Sequence, residues 1–168
     1  MASFSYLMMY SMETQFLPPA GFFRRLGALF YDSLIILAVV MMAGGVVVAI
    51  MEALVAAGLM SYAPYTDASD FLGSHPFWSP VYTAYLAFAW IYFLVFFWTR
   101  AGQTLGMRAW KIELQNLDGG RITVTQALIR IATSAFGLAN LSVPIDPQKR
   151  GFHDIWAKTK VVVLPKAK

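Results

Sequence analysis

Arg25 and Asp32 lie seven residues apart at the start of a long uncharged run. At about 100° per residue, seven residues fall some 20° short of two full helical turns, so the two side chains project from one face, about 10 Å apart along the axis. An aspartate at the centre of a spanning helix costs ~2.5–3.5 kcal/mol on insertion scales, so it is kept neutral, paired or wetted. Two readings follow. A structural pair that fixes helix packing is one, and an ion- or proton-binding carboxylate is the other. Asp154 is the third acid of interest. It follows a Pro-containing basic turn in Arg150-Gly151-Phe152-His153-Asp154-Ile155-Trp156 and precedes the last strand candidate. From there it reaches back to Arg25 at the inner end of the first helix, or it caps a helix as a solvated acid.

The elements that must position these residues are read from the uncharged runs. The first, Leu26–Met51, carries one charge, Asp32, and follows Arg24 and Arg25; from Ser33 to Met51 it has none. About 20 residues at ~1.5 Å each cross the hydrocarbon of a bilayer. Gly44-Gly45 in its middle permits close helix packing. The second run, Phe77–Thr99, is uncharged, with aromatic residues gathered at both ends as interfacial belts require, and Pro80 in its first turn. Between the two, residues 58–76 read as a loop with Asp67 and Asp70 and no Lys or Arg.

Residues 100–122 are basic. Trp110–Leu114 alternates as a strand does, Asp118-Gly119-Gly120 is a turn, and Arg121–Thr123 reads as a return strand. Lys160–Leu164 is a further strand candidate, so the three segments are expected to share one small cytoplasmic sheet. The third apolar stretch, about 123–142, is amphipathic: Gln126, Arg130, Thr133, Gly137 and Asn140 share one face, with Val124, Leu128, Ile131, Ala135 and Leu138 opposite. It either lies in the interface, re-enters, or stands in the bilayer with its polar face on the other helices. Charge bias decides the topology. Bases beside residue 25, in 100–122 and in the C-terminal segment all belong inside, and the loop 58–76 belongs outside. Two spans with both termini cytoplasmic satisfy every flank, whereas three do not.

The whole composition agrees. The chain is 58% hydrophobic and 13% charged, with a mean hydropathy of +0.58, against about 25% charged residues in a soluble domain. The expected fold is an α-helical integral membrane protein of the cell inner membrane. It comprises a tail over 1–20, one membrane domain over 21–165 and a basic tail at 166–168. Met12 offers an alternative start, which makes 1–11 an extension. The net charge of +4 flanks the apolar runs rather than forming an aromatic-interleaved stripe, so lipid headgroups account for it better than nucleic acid. Zero cysteines exclude disulfides, thiolate metal sites and Cys nucleophiles. His75 and His153 have no ligand spacing, and no phosphate loop, Gly-x-Ser-x-Gly or dinucleotide fingerprint occurs, so no metal, cofactor or enzyme is expected.

Read together, these segments resemble one family. Arg25-Leu26-Gly27-Ala28-Leu29-Phe30-Tyr31-Asp32, then Gly102-Gln103-Thr104-Leu105-Gly106-Met107-Arg108, Asp118-Gly119-Gly120, Leu128-Ile129-Arg130, Arg150–Asp154 and Lys158–Val162 stand in the order of the RDD family of membrane proteins, over about 20–165. The resemblance implies that Arg25, Asp32 and Asp154 are its name-giving positions. Transport, including sodium–proton exchange, has been proposed for some members, so it implies ion or small-solute transport. Two spans cannot enclose a path, so transport calls for a homo-oligomer or an unknown membrane partner. The alternative is an accessory or scaffold membrane protein whose polar residues lock helix packing. Asp32 is expected to face the third helix, with Gln126, Arg130, Thr133 or Asn140 as its nearest partners.

Overall fold

The computed structural model describes residues 17–165. The expectations for 1–16, including the alternative start, and for the basic tail 166–168 lie outside the described residues. The first helix, α1 (Phe22–Ala56), is followed by α2 (Ala68–Ser74), α3 (Trp78–Arg100), α4 (Leu105–Ala109), strand β1 (Ile112–Asn116), α5 (Val124–Thr133), a 3-10 segment (Ala135–Ser142), α6 (Phe152–Ala157) and strand β2 (Thr159–Val163). α1 and α3 are long and apolar enough to cross a membrane. Few of their apolar side chains are buried and many are exposed, among them Leu34, Leu37, Met41, Met42, Val46, Val81 and Phe88. The core helix of a soluble protein buries such residues, so these are the faces a lipid solvent wants. At ~1.5 Å per residue α1 is about 50 Å long, well beyond the ~30 Å of hydrocarbon. It therefore extends past the predicted 26–51 at both ends.

The segment read as one membrane domain packs as two units: the described residues up to Ser33 with those from Leu94 onward, and Leu34–Phe93. In the second unit Gly44 lets the Tyr82 hydroxyl come close to α1, and the Tyr85 hydroxyl donates to the Ala43 carbonyl at 3.3 Å. The connection 58–76 is not all loop. Asp67 caps α2 by accepting from the Asp70 N–H at 2.9 Å.

The first unit is built on the antiparallel pair β1–β2, with Leu114 opposite Val161. Ile112, Leu114, Ile122, Val161, Met107, Ala127, Ala20 and Ala28 make its core. Two sequence expectations are corrected here. Residues 18–20 are not tail: the Ala20 N–H donates to the Val161 carbonyl and Val163 donates to Pro18, both at 2.8 Å, so the segment before α1 lies along β2. Arg121–Thr123 is not a strand. Thr123 instead opens α5 through a capping box, its hydroxyl accepting from the Gln126 N–H at 3.2 Å while Gln126 Oε1 accepts from the Thr123 N–H at 2.9 Å.

The amphipathic helix expected over 123–142 ends at Thr133. Ala135 (φ 45°), Phe136 (φ 54°) and Gly137 (φ 97°) adopt left-handed backbone, which breaks the helix before the 3-10 turns. At Gly137 a Cβ would meet the Leu29 side chain, so glycine supplies both the dihedral angle and the close approach to α1.

Candidate functional site

Two buried carboxylates organise the first unit. Asp154 sits in the first turn of α6, where its Oδ2 accepts from the N–H of Gly151, the cap residue, at 2.8 Å. The same oxygen takes Arg25 Nη1 at 2.5 Å, and Arg130 Nη1 binds Oδ1. Arg25 is spent on the chain around it, with Nε donating to the Ala20 carbonyl at 3.0 Å and Nη2 to the Lys149 carbonyl at 2.8 Å. Arg130 also donates to Thr159 Oγ1 at 2.5 Å and lies over the Trp98 ring, 5.4 Å from its centroid. One carboxylate thus ties α1, α5, α6, β2 and the end of α3 together.

The electrostatics follow from that geometry. Burial alone would push the Asp154 carboxyl up, but the charges of Arg130 and Arg25 outweigh it and hold the group well below the usual carboxylate range. Burial lowers the Arg130 guanidinium, and Asp154 opposes that shift. His153 is buried beside them with Nε2 3.4 Å from Asp154 Oδ1. Burial first, then the Arg130 charge, pull it down to about 3, which keeps the imidazole neutral. With His153 neutral, two cations surround one anion.

Asp32 is held differently. Its Oδ1 accepts from the Gly106 N–H at 2.8 Å, and the Thr104 hydroxyl donates to Oδ2. Thr104 is the cap of α4, so its oxygen also accepts from the Met107 N–H at 3.3 Å. Gly102, at φ 67°, turns the chain out of α3. A Cβ on Gly106 would run into the Ala28 carbonyl and lie 2.8 Å from the Asp32 carboxyl carbon. Gly106 therefore has no side chain because α4 must seat its backbone against α1 at Asp32. Among the described residues no cation lies within ion-pair distance of Asp32.

The structure brings Arg25 and Asp154 together and adds Arg130 to them. Asp32 stands apart and does not face the third helix. Arg130 answers Asp154 instead, because α5 packs on α6. Gln126 Nε2 donates to the Ala157 carbonyl at 3.1 Å, Thr133 to the Ile129 carbonyl at 2.7 Å, and Asn140 to the Gly137 carbonyl at 3.1 Å. The expected polar face therefore does not assemble into one site, since the break after Thr133 turns its far half away. The sequence marks Gly102 and Gly106 as a tight turn and helix approach, but not Thr104, His153, Thr159 and Trp98 as the groups around the two carboxylates. A Thr two residues before a Gly in Gly102-Gln103-Thr104-Leu105-Gly106 was the available sign of a capped helix approaching a neighbour closely.

Neither the curated proteins nor the solved structures give a match to this chain. The family comparison does: the model of the RDD family matches residues 19–158. That interval takes in both buried carboxylates, the Gly102–Gly106 approach and most of the described residues, and the chain belongs to the RDD family.

Proposed function

We propose that this RDD family protein moves an ion or small solute across the cell inner membrane in exchange for protons, with Asp32 as the proton-carrying carboxylate. The observation that carries this reading is the company Asp32 keeps. It is buried at the start of the uncharged run of α1, and a hydroxyl and a backbone N–H, not a cation, hold it. Protonating it strands no partner charge, whereas protonating Asp154 would leave two buried guanidinium groups facing each other. Arg25 is too fully engaged elsewhere to serve as the counter-ion of Asp32.

Two spans do not enclose a path, so the working unit is a homo-oligomer or a complex with a membrane partner. Charge bias supports two spans, cytoplasmic termini and an external 58–76 segment, and a thiol placed at Ser69 is then labelled from outside only. A second reading, an accessory scaffold, has its own support in the Arg25–Asp154–Arg130 cluster, which sets two guanidinium groups on one carboxylate and ties five elements together. Reconstituted vesicles separate the two. Under an imposed pH gradient, addition of a monovalent cation dissipates the gradient with the wild type and not with Asp32→Asn. Equal behaviour of the two proteins, or none in either, returns the scaffold reading.

A further inference from the structure

Two helices of the first unit, α5 and α6, carry their polarity the wrong way round for water. α6 buries His153, Asp154 and Ala157 and exposes Phe152, Ile155 and Trp156, which at spacings of three and four form one face. α5 buries Ala127 and Arg130 and exposes Val124 and Leu128, again one face. The segment between them continues the pattern with exposed Leu138, Leu141 and Ile145, the last 84% exposed. In an aqueous amphipathic helix the charges point out and the apolar stripe points in. Here the charges form the internal seam and the apolar residues form the outside. The strand pair of the same unit shows the ordinary arrangement, with Ile112, Leu114, Val161 and Val162 buried.

We infer that α5, the 3-10 segment and α6 form a lipid-facing platform whose exposed apolar side chains lie in the headgroup–acyl boundary of the bilayer. The level is set by α1. Asp154 binds Arg25, and Gly137 rests against Leu29, four residues or about 6 Å further along the helix toward its uncharged run. The platform therefore straddles the point at which α1 passes from charged to apolar, where an interfacial helix sinks its apolar face ~5–10 Å. Charge complementarity points to the same occupant. Lys149 and Lys158, both exposed, flank α6 where lipid phosphates lie, and Trp156, 61% exposed, is of the type that collects at that boundary. This placement needs α1 in a membrane but holds whether or not the protein transports.

The cysteine-free chain suits a direct test. Single cysteines at Leu141, Ile145 and Ile155 carry a nitroxide label, with Ser69 in the polar 58–76 segment as reference. The full-length protein is reconstituted in phosphatidylcholine–phosphatidylglycerol vesicles and power saturation is measured with oxygen and with an aqueous nickel chelate. The ratio of oxygen to nickel accessibility is expected to be roughly tenfold higher at all three sites than at Ser69, as for a buried apolar face. Nickel accessibility equal to that at Ser69 places the face in water and overturns the inference. Low accessibility to both reagents means that protein, a second copy or a partner, covers the face, and overturns it equally. Three sites on separate turns keep the test valid if one variant fails to fold.

Discussion

Asp154 and Asp32 are buried carboxylates of the same packed unit, yet they are met by opposite kinds of partner. Two guanidinium groups and a backbone N–H surround Asp154, whereas a hydroxyl and a backbone N–H hold Asp32. The difference separates two uses of a buried charge. A carboxylate between cations cannot change its protonation without disrupting the groups that face it, so it fixes structure. A carboxylate held by neutral donors can change charge while its neighbours stay in place. The elements reflect this. Arg25, Arg130 and Asp154 come from three helices that need a tie, while Thr104 and Gly106 belong to a short capped helix built to approach one residue.

The largest effect should come from removing the charge between the two guanidinium groups. Asp154→Asn leaves Arg25 and Arg130 buried without an anion, and a loss of about 3–5 kcal/mol in unfolding free energy is expected. Reversible unfolding in detergent micelles measures it. Arg25→Ala combined with Asp154→Ala should lose clearly less than the sum of the single losses. Additive losses would mean that the two residues do not act as one unit.

Acid provides a second way into the same site. The neutral state of His153 is favoured in the fold and its titration is pulled down to about 3. Between there and its ordinary value the unfolded chain binds a proton that the folded one does not. Stability is then complete above about pH 6.5 and falls on acidification by up to ~1.4 kcal/mol per pH unit, with Asp154 adding its own loss below about pH 4. Unfolding of wild type and His153→Gln from pH 7 to 4.5 checks this. The variant should show a nearly flat profile down to about pH 5, and a slope equal to the wild type's would assign the effect elsewhere.

How much of this is legible in the sequence depends on which physical constraint speaks. Arg25 and Asp32 are legible because an ionisable residue beside or inside a long uncharged run must be satisfied by something, whereas Asp154 is legible from the order of the family's motifs. The two long apolar helices are legible because their length and hydropathy can be read from composition alone. Arg130 is legible as a polar-face residue, but periodicity gives the direction of a side chain and not its tertiary partner, so its pairing with Asp154 is not. The break at 135–137 is hidden because apolar spacing continues through Leu138 and Leu141 across it, and Gly137 is its one local sign. α4 is too short for any period. The pairing of residues 18–20 with β2 is a long-range event that no local pattern announces.

The neutral-donor site can be tested sterically before it is tested electrically. Gly106→Ala inserts a methyl group against the Ala28 carbonyl and the Asp32 carboxyl group, and neither can move without shifting α1 or α4. A loss of about 1–3 kcal/mol is expected from such overpacking. Gly45→Ala is a control in the same α1 helix, since a Cβ there meets nothing within 4 Å. It should be neutral or slightly stabilising, because alanine is the better helix former. Equal tolerance at both positions would mean that the seat of α4 on α1 is loose.

The smallest effect on stability should come from the residue assigned the most chemistry. In Asp32→Asn the amide oxygen still accepts from the Gly106 N–H, and the amide nitrogen can donate to Thr104 Oγ1 if that hydroxyl turns its proton away. Both hydrogen bonds survive in kind and no cation is stranded, so the cost should stay below about 1 kcal/mol, within the range of one exchanged neutral hydrogen bond. The comparison with Asp154→Asn is then a ratio: the same one-atom change costs several times more between two guanidinium groups than between a hydroxyl and an amide. Parallel unfolding of both variants in one detergent at pH 7 measures that ratio. If Asp32→Asn is as damaging as Asp154→Asn, a charge must oppose Asp32 in the folded protein. Both carboxylates would then be structural ties, and the proton-exchange reading would lose its basis.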